Sequence, residues 1–195
     1  MRTPPIFRNL FSRFVGVAVV ALLIGGSVFG EVPQDLIALK SKFEASPDRD
    51  TEAGRLGYIN RLMPLDIEYM SQWIFSRKGK DALDFIRHEI QQHPSPKNYR
   101  PSPKLLLGDW QSPRHETRFT ADGKWIMLPE GATHGRWKIS NNKFFQNHER
   151  NDDKFESGSM IYLLNQDYFV FGDSKNVFVE YRMPHEKTPN QNDHL

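Results

Sequence analysis

From residue 34 to 93 apolar residues recur at three- and four-residue steps, the period of a helix that buries one face. Pro and Gly cut this region into four predicted helices. The first, Gln34 to Ala45, carries Leu36, Leu39 and Phe43 on one stripe and stops at Ser46-Pro47. The second starts from a cap at Asp50 or Thr51, sets Leu56, Ile59, Asn60 and Met63 near one face, and closes at Pro64. Asp66 caps a third, with Ile67, Met70 and Ile74 inward and Trp73 beside them, until Gly79. The fourth spans 80–93 with Leu83, Ile86, Arg87 and Ile90 at helical spacing, and Pro94 ends it. Helices of this length need a partner surface to be stable.

Pro94, Pro96, Pro101 and Pro103 then crowd into ten residues, the composition of an extended, semi-rigid linker over 94–104. Beyond it the hydrophobic period falls to two. Strands are predicted over 105–111, 115–120, 124–128, 134–140, 143–149, 159–164, 168–172 and 176–183. Asp122-Gly123 suits a type I′ hairpin, Asn141-Asn142 tolerates left-handed backbone, and Asn165-Gln166-Asp167 makes a longer loop. Eight strands in succession favour a meander that closes into a small barrel, because closure removes exposed edges. The predicted class is therefore α+β: a short helical module over 31–93, the linker, an antiparallel eight-stranded domain over 105–183, and a polar tail from 184 to 195.

The first thirty residues stand apart. Arg2, Arg8 and Arg13 precede an apolar run, Phe14 to Ile24, of signal-peptide length. Gly25-Gly26-Ser27 and Val28-Phe29-Gly30 supply the small residues of a cleavage site after Gly30. The alternative is an anchor retained in the inner membrane, since the uncharged stretch from Phe14 to Gly30 is 17 residues, near the lower limit for a span. Either way the positive-inside rule exports the chain beyond residue 30, to the periplasm or further. Three of the 26 basic residues belong to this leader, which has no acid, so the remainder carries 23 against 24 acidic residues. That balance gives no footprint for nucleic acid, and membrane contact is expected through the leader alone. With no cysteine, the exported part has neither disulfide nor thiol nucleophile.

A short unit recurs three times: Gly108-Asp109-Trp110, Gly123-Lys124-Trp125 and Gly135-Arg136-Trp137. Glycine allows close backbone approach, and a Trp two residues on fills the interior. The first of these units, the eight-strand meander and the closing Tyr181-Arg182-Met183 resemble the lipocalin-like group, in particular small lipocalin-like domains of exported bacterial proteins. The resemblance covers 105–183. It implies that Trp110 packs under Arg182, with Gly108 opening the first strand, and Gln166-Asp167-Tyr168 echoes a second motif of the family.

No catalytic signature accompanies this pattern. The four His-Glu pairs, at 88, 115, 148 and 185, all lack a second His four residues on, and there is no GxSxG or phosphate-cradling loop. His115, His134 and His148 are the residue types of a scattered metal site without its spacing. The expected role is non-enzymatic: binding or interaction in the cell envelope, with an envelope protein as partner. The alternative is carriage of a small hydrophobic ligand or metal in the barrel mouth, where Trp125, Trp137, Tyr162 and Tyr181 are the candidate cavity residues. No cofactor is expected.

Overall fold

The computed structural model describes residues 31–113, 115–129, 133–147, 155 and 158–182. The leader, the tail and His148 lie outside them. Three helices precede eight strands: α1 (Gln34–Glu44), α2 (Glu52–Ser76), α3 (Lys80–Gln92), then β1 (Gly108–Gln111), β2 (Glu116–Phe119), β3 (Lys124–Leu128), β4 (His134–Ser140), β5 (Lys143–Gln146), β6 (Ser159–Leu164), β7 (Tyr168–Gly172) and β8 (Val177–Arg182). Each strand pairs antiparallel with the next, and β8 returns to β1, so the sheet is a closed eight-stranded barrel. The class is α+β, as the change of period from 3.6 to 2 predicts.

Two predicted helices are one. Thr51 caps α2, its hydroxyl accepting from the Gly54 amide at 3.0 Å, but the helix runs through Pro64 to Ser76. Proline inside a helix forfeits a hydrogen bond and costs about 3 kcal/mol. The stripe Tyr58, Ile59, Leu62, Met63, Asp66 and Met70 is buried on both sides of it, so packing outweighs that cost. Asp66 is consequently no cap. It lies buried mid-helix, 3.7 Å from the Arg87 guanidinium of α3, and burial raises its carboxyl against the opposing pull of Arg87.

α1 and α3 join α2 through a buried polar cluster. The Glu89 carboxylate accepts from Lys40 at 2.6 Å and from the Tyr58 hydroxyl at 3.0 Å. Phe43 stacks on Tyr58 with ring centres 4.1 Å apart, and His93 stands edge-on to both. α2 lies against β6 and α3 against β8, covering outward side chains such as Val179.

The proline-rich segment is docked along its length. Near its start the Ser95 hydroxyl bonds the carbonyls of Ile161 and Tyr162; further on the Tyr99 hydroxyl accepts from the Leu164 amide and bonds its carbonyl. The chain thus runs beside the second half of β6. It finishes in a 3-10 turn, η1 (Pro103–Leu106), at the position where the sequence pattern predicts the start of β1. Pro103 favours that turn, and Leu106 is fully buried across the barrel end.

Turn chemistry departs once from expectation. Only Gly123 of the Asp122-Gly123 pair has positive φ, and its amide bonds the Thr120 carbonyl, so the hairpin is a type I turn closed by a left-handed glycine. Asn141 takes the left-handed conformation expected of it. Among the described residues no helix is long and apolar enough to cross a membrane.

The Glu89 cluster yields a direct test. Glu89→Ala strands the buried Tyr58 hydroxyl and frees Lys40, and is expected to lower stability in urea unfolding by about 3 kcal/mol. Lys40→Ala costs less, because a third of that side chain already meets solvent.

Candidate functional site

Side chains at paired positions of an antiparallel ladder share a face. Trp110 opposes Thr117, Phe119 opposes Trp125, Ile161 opposes Phe171, and Phe169 opposes Glu180, and together these define the barrel interior. Much of it is aromatic. Trp110, Phe119, Trp125, Trp137, Phe144, Phe169 and Phe171 form one buried cluster. Phe169 stands edge-on to Phe144 at 5.1 Å and stacks on Phe171 at 4.4 Å.

The two ends of the barrel differ. At the end where η1 sits, Arg182 spreads over Trp110, its guanidinium 4.2 Å from the ring centre. The Arg182 side chain donates to the carbonyls of Leu107 at 2.6 Å, Leu105 at 2.5 Å and Gln166 at 2.8 Å. The Trp110 indole donates to the Leu106 carbonyl at 2.7 Å. Gly108 is required here: its φ is +109°, and a Cβ would stand 2.8 Å from the Arg182 guanidinium. Trp110, Gly108 and Arg182 are thus brought together as one plug.

Glu180 lies on the interior face of β8, one step from Arg182 towards the far end, with Phe178 beyond it. It is 6% exposed, and its Oε2 has no hydrogen-bond partner among the described residues. Its Oε1 is 4.0 Å from His115 Nε2, on the β1–β2 connection. Burial among aromatic rings pushes this carboxyl up to about 8, so the group is a neutral acid at pH 7. A buried polar atom left unbonded is costly, and native folds keep few of them.

The four candidate cavity residues divide by face. Trp125 and Trp137 point inward and are buried in the aromatic cluster. Trp125 is pinned by its indole bond to the Asn147 carbonyl at 2.9 Å, while the Trp137 indole nitrogen is buried without a partner among the described residues. Gly135 permits that pinning, since a Cβ would stand 1.9 Å from the Asn147 carbonyl oxygen. Tyr162 and Tyr181 do not line the interior. Tyr162 follows the inward Ile161 and faces out, where its hydroxyl meets the Asp173 carbonyl at 3.3 Å, and the register then shifts so that Leu164 is inward again. With Gln91, Gln92 and Pro94 it borders a shallow groove of about 360 Å³. Tyr181 follows Glu180 and so faces out, opposite Tyr168.

His115 and His134 do not converge. His134 precedes the inward Gly135 and faces outward, whereas His115 approaches the interior Glu180. Among the described residues no three His, Cys, Asp or Glu groups are placed to hold a metal. Glu180 is the functional residue that motif reasoning misses. Its signal is the lone acid in Val177-Phe178-Val179-Glu180-Tyr181, where alternation points it inward once the phase of β8 is known. No protein-family model, curated protein or solved structure matches this chain.

Two outcomes follow from this geometry. The Glu180 proton is held in the folded state up to about pH 8 but is lost near 4.5 on unfolding. The stabilising effect of that proton is complete below pH 4.5 and disappears as pH rises to 8, at about 1.4 kcal/mol for each pH step of one. Wild-type stability should fall over that window, while Glu180→Gln flattens the fall and is the more stable form at pH 8 by a few kcal/mol. Chemical denaturation at a series of pH values checks this. Arg182→Lys, which cannot span three carbonyls in one plane, should cost about 2 kcal/mol in the same assay.

Proposed function

We propose that this chain is an exported, non-enzymatic binding protein of the cell envelope, built on a lipocalin-like barrel, and that a small ligand enters the barrel from the end away from Arg182. The observation that carries this reading is Glu180. An acid whose Oε2 is buried, without a hydrogen-bond partner among the described residues, and set beside Phe169 destabilises the fold for no internal return. A ligand group that bonds it supplies the missing partner. The aromatic interior suits an apolar ligand body, and the η1–Arg182 plug supports entry from the other end.

Export rests on the Arg-flanked apolar leader. The non-enzymatic reading rests on the sequence, which has neither an HExxH motif nor a GxSxG elbow.

Native mass spectrometry of the protein purified from the exported fraction tests this. The expected spectrum has an added mass that disappears on denaturation and is missing from Glu180→Leu, whose far-UV circular dichroism matches wild type. A bare chain mass in wild type, or an adduct unchanged in Glu180→Leu, overturns the assignment to the barrel interior.

A further inference from the structure

The most exposed large apolar side chain among the described residues is Phe75, at 86%, and its neighbour Ile74 is also exposed. Their position follows from helix lengths. α1 and α2 run antiparallel: Phe43 stacks on Tyr58 at one end, and at the other the Tyr69 hydroxyl reaches Asp35 at 3.5 Å. α2 continues past Tyr69 to Ser76, so its last two turns overrun the start of α1. The chain then folds back at Gly79 against the Tyr69 carbonyl, and α3 begins. Neither α1 nor the α2–α3 turn covers Phe75.

Acids flank this tip at Asp35, Glu68, Asp81 and Asp84, but the segment beside Phe75 is basic. From Ser71 to Lys80 there are three basic residues and no acid. Lys80 pairs with Asp84, whereas Arg77 and Lys78 are exposed and in no ion pair among the described residues. Arg77 ends the helix in a left-handed conformation, its guanidinium 5.7 Å over Trp73. Aromatic and aliphatic side chains beside unpaired basic ones at a helix end match the boundary between headgroups and acyl chains of an anionic bilayer.

We infer that the α2 tip, Ile74 and Phe75 with Arg77 and Lys78, docks on an anionic membrane surface. A protein partner fits less well: two side chains offer at most about 200 Å² each, against about 800 Å² per partner in a stable interface. A bilayer asks for no shape complementarity. The tip also lies at the end of the helical module where the chain enters, since Asp35 is in the first turn of α1 and touches Tyr69. This inference is independent of the barrel ligand.

The chain has no cysteine, so Phe75→Cys provides a single labelling site. The full chain carrying a polarity-sensitive dye there is reconstituted with vesicles of phosphatidylcholine, or of phosphatidylcholine and phosphatidylglycerol in equal parts; co-sedimentation verifies association. Dye at Asp122→Cys, on an exposed barrel turn, is the control. The expected result is a blue shift with quenching by lipid-borne quenchers at position 75 in the anionic vesicles, and none at 122. Arg77→Glu with Lys78→Glu, both at the surface, should weaken that signal at least about tenfold. A water-like dye at 75 on sedimented chain overturns the inference. An equal shift in the neutral vesicles overturns the anionic partner, and so does a signal indifferent to charge reversal.

Discussion

The barrel closes through one guanidinium. Direct pairing between β1 and β8 amounts to Trp110 with Arg182 and Gln111 with Tyr181, a short seam for a sheet that must meet itself. Arg182 supplements it by bonding the carbonyls of Leu105, Leu107 and Gln166 while covering the Trp110 ring. These carbonyls would otherwise be unpaired where a sheet end meets a 3-10 turn, and a charged donor serves several at once. Burial pulls the Arg182 guanidinium below its ordinary value, the mark of a charge taken partly out of water to do so.

From that seam the rest of the architecture follows. With the sheet closed, its inner face is lined largely by buried aromatic rings, and the outer face of β6 and β8 takes the helices. α2 survives an internal proline because both halves of its buried stripe rest on the same support. Inside the helical layer Glu89 meets Lys40 and Tyr58, and Asp66 lies beside Arg87. The barrel interior has no equivalent arrangement for Glu180.

Much of this is legible in the residues. Period-two patterning locates all eight strands, and the recurrent Gly-x-Trp units identify three inward Trp residues; in each unit glycine and Trp share a face because they are two apart. Three things stay hidden for definite reasons. Local rules stop a helix at Pro64, but burial on both sides of it is a tertiary effect. Alternation counted back from the inward Leu164 assigns Tyr162 to the wrong face because one irregular step in β6 reverses the phase, and sequence does not announce such a step. The isolation of Glu180 depends on which strands neighbour β8 and what they carry, information that pairing alone contains.

Arg182 binding the Leu107 carbonyl means that the chain enters and leaves the barrel side by side, at one end. Every crossing at that end is a brief turn or is pinned by the plug: Thr120 to Lys124, Asn141-Asn142 and the Asn165–Asp167 loop whose Gln166 Arg182 holds. The opposite end is reached by the connections after β1, β3, β5 and β7, and the barrel strands neither begin nor finish their circuit there. The barrel is thus divided between an end where the circuit of strands is opened, closed and locked and an end that the strands only pass through.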